Sequence, residues 1–157
     1  MGKTTARISL EPSVLQVSGE EEGDVLLGSL CQRCNRVFFP SREWCAACCE
    51  PVPQVIELSR DGVLEGFTLV HRKQAYGVLD PPYVLGEVDL PEGVRVYTTI
   101  NVTSDVSEDE VRPRSTVGPD NLDSLRTGQK VVLDPVVIKR DQDGQDVVAY
   151  NFSVVEG

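Results

Sequence analysis

The chain has 157 residues, 40% of them hydrophobic and 25% charged, with a formal charge of −10 at neutral pH. That is one ordinary globular domain or two small ones, and its acidity disfavours general binding to phosphate backbones, which relies on neutralising cations. No apolar run approaches the ~20 residues of a membrane span, and the opening MGKTTARISLEPSV lacks the apolar core of a signal peptide, so a cytoplasmic location without a membrane partner is expected.

Residues 1–26 are expected to form an N-terminal arm, with strands near 6–10 and 13–17 and the acidic run GEEEGD. GKTT is similar to half of a phosphate loop, but it lacks the preceding glycine and strand and is set aside. Residues 27–52 hold all five cysteines in LCQRCNRVFFPSREWCAACCE. PVPQVIELSRDG, residues 51–62, opens with two prolines that favour an extended connector.

Over 53–157 the pattern is β. VLEGFTLVHR, YVLGEVDL, VRVYTTINV, KVVLDPVVIK and VVAYNFSVV are rich in valine, threonine and aromatics, with turn residues between them. In the third segment Val94, Val96, Thr98, Ile100 and Val102 take one face, and Arg95, Tyr97, Thr99 and Asn101 take the other. The last segment puts Val148, Tyr150, Phe152 and Val154 on one face, and KRDQDGQD is a hairpin turn carrying Asp-Gly. Five short strands suit a small barrel, of which the five-stranded OB-fold is the simplest. Residues 103–129 form a long connection, charged at first, in which DNLDSLRTG predicts a short helix with Asp120 as N-cap and Gly128 just past its end.

Cys31-x-x-Cys34 and Cys45-x-x-Cys48 have the spacing of two zinc knuckles. In a reducing compartment clustered thiols read as metal ligands before disulfides, and two such pairs complete a tetrahedron around one Zn²⁺. Four sulfurs close the site, so the zinc is expected to be structural and no residue of the chain to be catalytic. The residue after each knuckle's second cysteine commonly adopts the left-handed region, which predicts positive φ at Asn35 and at Cys49. The alternative is a shifted register in which Cys49 ligates in place of Cys48. Between the knuckles stand Phe38, Phe39, Trp44, Arg36 and Arg42, with Arg33 inside the first. The aromatics either cover the metal and pack on the barrel or face a partner, because a ribbon this small cannot bury three of them alone. The arginines are either solvated or pair bidentately with phosphates or carboxylates.

The layout LCQRCNRVFFPSREWCAAC, with Phe39-Pro40 and Arg42, followed by GVLEGFTLVHR, PPYVLGEVDLPEGVR and LRTGQKVVL, resembles the zinc-ribbon plus OB-fold proteins associated with acyl-CoA thiolases. The likeness covers about residues 27–155. It implies a mainly β protein made of an N-terminal arm, a rubredoxin-like zinc ribbon and a C-terminal five-stranded OB-fold barrel. It further implies a non-catalytic accessory subunit of a hetero-oligomer, seated against a thiolase-fold catalytic subunit and helping to hold acyl-CoA. The small subunit of benzoylsuccinyl-CoA thiolase in toluene degradation is one such relative. Arg33, Arg36, Phe38, Phe39 and Arg42 are the expected contacts to CoA or partner. Two features depart from the family: ISLEPSVLQVSGEEEGD replaces a helical, aromatic-bearing segment, and residues 103–119 look like an insertion.

An enzyme acting alone would need a reacting constellation. His71 is the sole histidine and stands at a strand end, with no nucleophile in the pattern beside it. The competing reading, a single-stranded nucleic-acid binder, draws on the OB-fold and the ribbon and is opposed by charge.

Overall fold

The protein is described from a computed structural model, which covers residues 5–19, 23–52, 54–75, 81–102 and 122–155. Among the described residues twelve strands run in chain order: β1 Arg7–Ser9, β2 Leu15–Gln16, β3 Val25–Leu30, β4 Val37–Phe38, β5 Gln54–Glu57, β6 Asp61–Val70, β7 Tyr83–Asp89, β8 Arg95–Asn101, β9 Lys130–Leu133, β10 Val136–Arg140, β11 Asp146–Ala149 and β12 Phe152–Val154.

The five-stranded barrel is present, closed in the order β12-β8-β7-β6-β9, with β9 pairing back on β12. β6, β7 and β8 form an antiparallel meander, and β12 lies parallel to β8. This is the OB-fold pattern. The expected alternation holds from Val94 to Ile100, where Val94, Val96, Thr98 and Ile100 are buried while Arg95 and Tyr97 are exposed, and it fails at Asn101, which was expected on the outer face and is buried at the end of β8. Gly86 sits inside the barrel, where an added Cβ would lie 2.4 Å from Ile100 Cγ1 on the neighbouring strand, so the bulk of Ile100 beside it requires glycine there.

Two expected strands each break in two. KVVLDPVVIK divides at Asp134-Pro135 into β9 and β10, and VVAYNFSVV divides at Tyr150-Asn151 into β11 and β12. Proline has no N–H to continue the ladder, and buried Asn151 fills the corner. Its carbonyl accepts the Asp134 N–H at 2.8 Å, and its amide donates to the Phe152 carbonyl at 3.2 Å. Beyond the corner the β10–β11 hairpin leaves the barrel, and β11 accepts β1 of the arm in parallel. The turn of this hairpin carries Gly144 at φ 77°.

The arm does form strands near both expected positions, and β3 spans the 26/27 limit between expected arm and ribbon. β3 pairs β2, β4 and β5 in one four-stranded sheet, so QVIE of the expected connector is a ribbon strand. One hydrophobic cluster joins Val14, Leu15 and Leu26 to the barrel residues Leu64, Val84, Val96, Ile100 and Phe152. Asp24, fully buried, accepts Arg7 Nη2 at 2.6 Å and the Ser18 N–H at 2.9 Å. Arg60 ties the same place to the barrel, donating to the carbonyls of Asp24 at 2.8 Å and Leu133 at 3.0 Å.

The expected helix falls partly outside the described residues, which exclude Asp120; Leu122 is helical and 123–124 form a turn. Gly128 has φ 88° and donates to the Leu64 carbonyl at 2.7 Å, which anchors the segment before β9 on β6. The segment 103–119, expected as an insertion, lies outside the described residues.

Candidate metal centre

The two cysteine hairpins repeat one backbone pattern at an offset of fourteen residues. In the first, Cys31 N–H donates to the Arg36 carbonyl at 2.9 Å and Asn35 N–H to the Cys31 carbonyl at 2.8 Å. In the second, Cys45 N–H donates to the Glu50 carbonyl at 2.8 Å and Cys49 N–H to the Cys45 carbonyl at 2.9 Å. Asn35 has φ 59° and Cys49 φ 61°, the left-handed conformation that the knuckle turn requires. The register is therefore the same in both, and Cys49 is the exposed turn residue rather than a member of the cluster.

Cys31, Cys34, Cys45 and Cys48 have their sulfurs within 4.8 Å of one another. Cys31 Sγ is 3.6 Å from Cys48 Sγ, and Cys34 Sγ is 3.5 Å from Cys45 Sγ. A zinc ion bound tetrahedrally at about 2.3 Å from each sulfur needs sulfur–sulfur edges of about 3.8 Å. The four thiols thus present the number, the softness and the spacing that such an ion takes. They could hold one metal ion, and none of the four is in a disulfide.

The thiols also perturb one another. The Cys34 N–H holds the Cys31 thiol below its ordinary value. At Cys45 burial pushes the thiol up, but the N–H groups of Cys48 and Ala47 together with the adjacent thiols bring it down to about 6. The N–H groups of Arg36 at Cys34 and of Glu50 at Cys48 pull downward, yet desolvation and the neighbouring sulfurs prevail; Cys34 is raised and Cys48 is pushed up to about 12. Two sulfurs ionise at the expense of the other two. A divalent cation at their centre lets all four stay deprotonated.

Cys31, Cys45 and Val52 form a small buried cluster with Phe38 packed on it. Phe38 also carries the Arg42 guanidinium over its ring, 5.4 Å from the centroid. Arg42 N–H donates to the buried Ser29 hydroxyl of β3 at 3.0 Å. Phe39 points the other way and meets Tyr150 at the barrel corner. Arg33 forms an ion pair with Glu50, which links the two hairpins. Arg36 is exposed, and so is Trp44, at 61%. Of the expected contact residues, Phe38 and Phe39 are partly buried against the cores and Arg33, Arg36 and Arg42 are exposed; Trp44, not among them, is exposed as well. His71 stands exposed just past the end of β6.

Sequence reasoning missed the role of β3, whose Ser29 is a buried acceptor, and the buried Asp24. VLLGSL is a short apolar run of strand length, and that run is the signal that could have found β3. An aspartate six residues after a serine carries no local signal at all.

Residues 55–134 match the family described as ChsH2, C-terminal OB-fold domain. Over 141 residues, 90% of this chain and 84% of the relative, the sequence is 26% identical to benzoylsuccinyl-CoA thiolase subunit BbsA of Thauera aromatica. It is 30% identical over 129 residues to a DUF35 domain-containing scaffold protein of Methanothermobacter thermautotrophicus, covering 81% of this chain and 83% of that one. Among solved structures, the Ltp2-ChsH2(DUF35) aldolase shares the fold with a TM-score of 0.56 at 21% identity, over 83% of this chain and 84% of that chain. The OB-fold barrel and the matches over residues 55–134 and over 81% of the chain place it in the ChsH2-type OB-fold family, among the DUF35 domain-containing proteins.

Proposed function

We propose that the chain is a non-catalytic accessory subunit of a thiolase-fold enzyme acting on acyl-CoA thioesters, with one structural Zn²⁺ on Cys31, Cys34, Cys45 and Cys48. What carries this reading is the extent of the likeness to a thiolase subunit, which runs over 90% of the chain and so takes in both the cysteine hairpins and the barrel. A metal bound by four thiolates has no open position for substrate, so its contribution is to fix the two hairpins. The chemistry, thiolytic or retro-Claisen cleavage or the reverse condensation, then belongs to the partner. The chain's part is assembly and help in holding acyl-CoA, in the cytoplasm, where the thiols remain reduced. Arg36 and Arg42, exposed on the ribbon, are the groups suited to the CoA phosphates or to partner carboxylates. The relative named for benzoylsuccinyl-CoA supports an aromatic-compound pathway as the setting.

The test is to express the chain alone and together with the thiolase-fold proteins of the same organism. Co-elution as a stable complex, with acyl-CoA turnover only in its presence, is the expected result. A soluble chain that never co-elutes with such a partner would sink the accessory role, and turnover of an acyl-CoA by the isolated chain would sink the non-catalytic one.

A further inference from the structure

The outer face of the barrel meander carries a groove of about 460 Å³, lined by Gly66 and Phe67 of β6, Leu85 and Glu87 of β7, and Tyr97 of β8. The register puts Gly66, Glu87 and Tyr97 in one row across three strands, since Gly66 pairs Glu87 and Glu87 pairs Tyr97. A β-bulge between Leu64 and Gly66 shifts the alternation, placing Gly66 on the outer face. An added Cβ at Gly66 would lie 3.3 Å from Glu87 Oε2, so the missing side chain is what opens the floor of the groove. Tyr97 stands over the row, 66% exposed, at a position where alternation calls for a polar residue.

The charges at this face are unequal. Arg95 grips Asp89 with two hydrogen bonds, Nε to Oδ1 at 2.6 Å and Nη2 to Oδ2 at 2.9 Å. That pair is satisfied, and the guanidinium holds the Asp89 carboxyl below its usual range. Among the described residues Glu87 receives the longer contact alone, from Arg95 Nη1 at 3.3 Å to Oε2. Glu87 therefore retains acceptor capacity at the groove wall, with an aromatic ring and apolar side chains beside it. Such a site is complementary to a guanidinium: the aliphatic stem lies on Leu85, the head pairs with Glu87, and its plane stacks on Tyr97. The charge of −10 on the whole chain draws a basic surface toward it over longer range.

We infer that the Gly66–Glu87–Tyr97 row is a docking site for an arginine presented by a protein partner. The inference rests on the accessory-subunit reading for the identity of that partner, but not for the chemistry of the groove. It places one anchor of the assembly on the barrel, apart from the cysteine ribbon.

Two measurements test it. The ¹⁵N-labelled full chain is titrated with the peptide acetyl-Gly-Arg-Gly-amide and with its citrulline counterpart, which keeps the shape and loses the charge. Saturable amide shifts at Gly66, Glu87 and Tyr97 are expected, about tenfold weaker with citrulline. Glu87→Gln should weaken binding about tenfold and Tyr97→Ala about two- to fivefold. Gly66→Val, which suits a strand and fills the floor, should abolish the shifts. Equal response to both peptides, or shifts confined to other surfaces, overturns the inference. In the co-expressed complex, the Glu87→Gln/Tyr97→Ala double variant should release the thiolase-fold subunit at salt concentrations that the wild type withstands. A complex that forms and is unaffected by the double variant overturns the docking site and leaves the accessory role standing. Absence of any wild-type complex overturns the accessory role, and the peptide titration then decides the groove by itself.

Discussion

Phe39 meets Tyr150 edge to face, with ring centroids 5.9 Å apart and planes at 89°. One ring comes from the strip between the cysteine hairpins and the other from the corner where β11 passes into β12, so this contact joins ribbon to barrel. Phe39→Ala should lower the unfolding free energy by about 2–3 kcal/mol, the lower end for a large ring that is half-buried. Urea titration of Phe39→Leu, Tyr150→Leu and the double variant should show a coupling of about 0.5–1.5 kcal/mol between the rings. Additive effects would mean the contact does not hold the two parts together.

The two hairpins place four sulfurs in one cluster and leave the fifth thiol outside it. Elemental analysis of the native protein should give about one equivalent of zinc. Cys31→Ser should lose most of that metal and the order of the ribbon with it. Cys49→Ser should keep both. A strong chelator should lower the melting temperature of wild type and of Cys49→Ser alike, and leave Cys31→Ser unmoved. Loss of zinc from Cys49→Ser would show that the fifth cysteine ligates.

Cys49 and Asn35 occupy equivalent positions at nearly the same φ, yet only asparagine visits this region readily. Left-handed geometry costs an ordinary residue about 1–2 kcal/mol, and glycine escapes it at the expense of about 0.5–1 kcal/mol of chain entropy. Cys49→Gly should therefore be neutral or stabilising by up to about 1 kcal/mol, whereas Cys49→Val should destabilise by roughly a further 0.5–1 kcal/mol, because β-branching worsens a penalty that Cys49 already pays. Thermal melts of the zinc-loaded proteins compare the three side chains directly.

Arg7 and Asp24 form an ion pair that fastens the arm, and Asp24 is shut off from water. Arg7→Met leaves the buried Asp24 carboxylate, among the described residues, with the Ser18 N–H as its remaining donor, and should cost about 3 kcal/mol. Removing both charges, in Arg7→Met/Asp24→Leu, should restore much of that loss. Chemical denaturation of the three proteins measures it, and a double variant no better than the single would show that the penalty lies elsewhere than in the stranded charge.

Features that depend on a few neighbouring residues were legible in the chain. C-x-x-C-N and C-x-x-C-C specify a tight turn with positive φ at a known place, because backbone sterics act over four or five residues. The alternation of β8 likewise declared which of its faces is buried, since the pleat has a period of two. The sequence by itself therefore determined the cysteine cluster, the mainly β class and the inner face of the central strand. It did not determine where a long β segment turns off the barrel. KVVLDPVVIK and VVAYNFSVV read as single strands; Pro135 interrupts the first ladder, and the mutual bonding of Asp134 and Asn151, seventeen residues apart, fixes the corner at which both pass between two sheets. The parallel pairing of β1 with β11, the burial of Asp24 and the row of Gly66, Glu87 and Tyr97 were decided in the same way by tertiary structure. Each brings together residues distant in sequence, and such pairings are selected by which strand edges and which apolar faces the rest of the chain leaves uncovered.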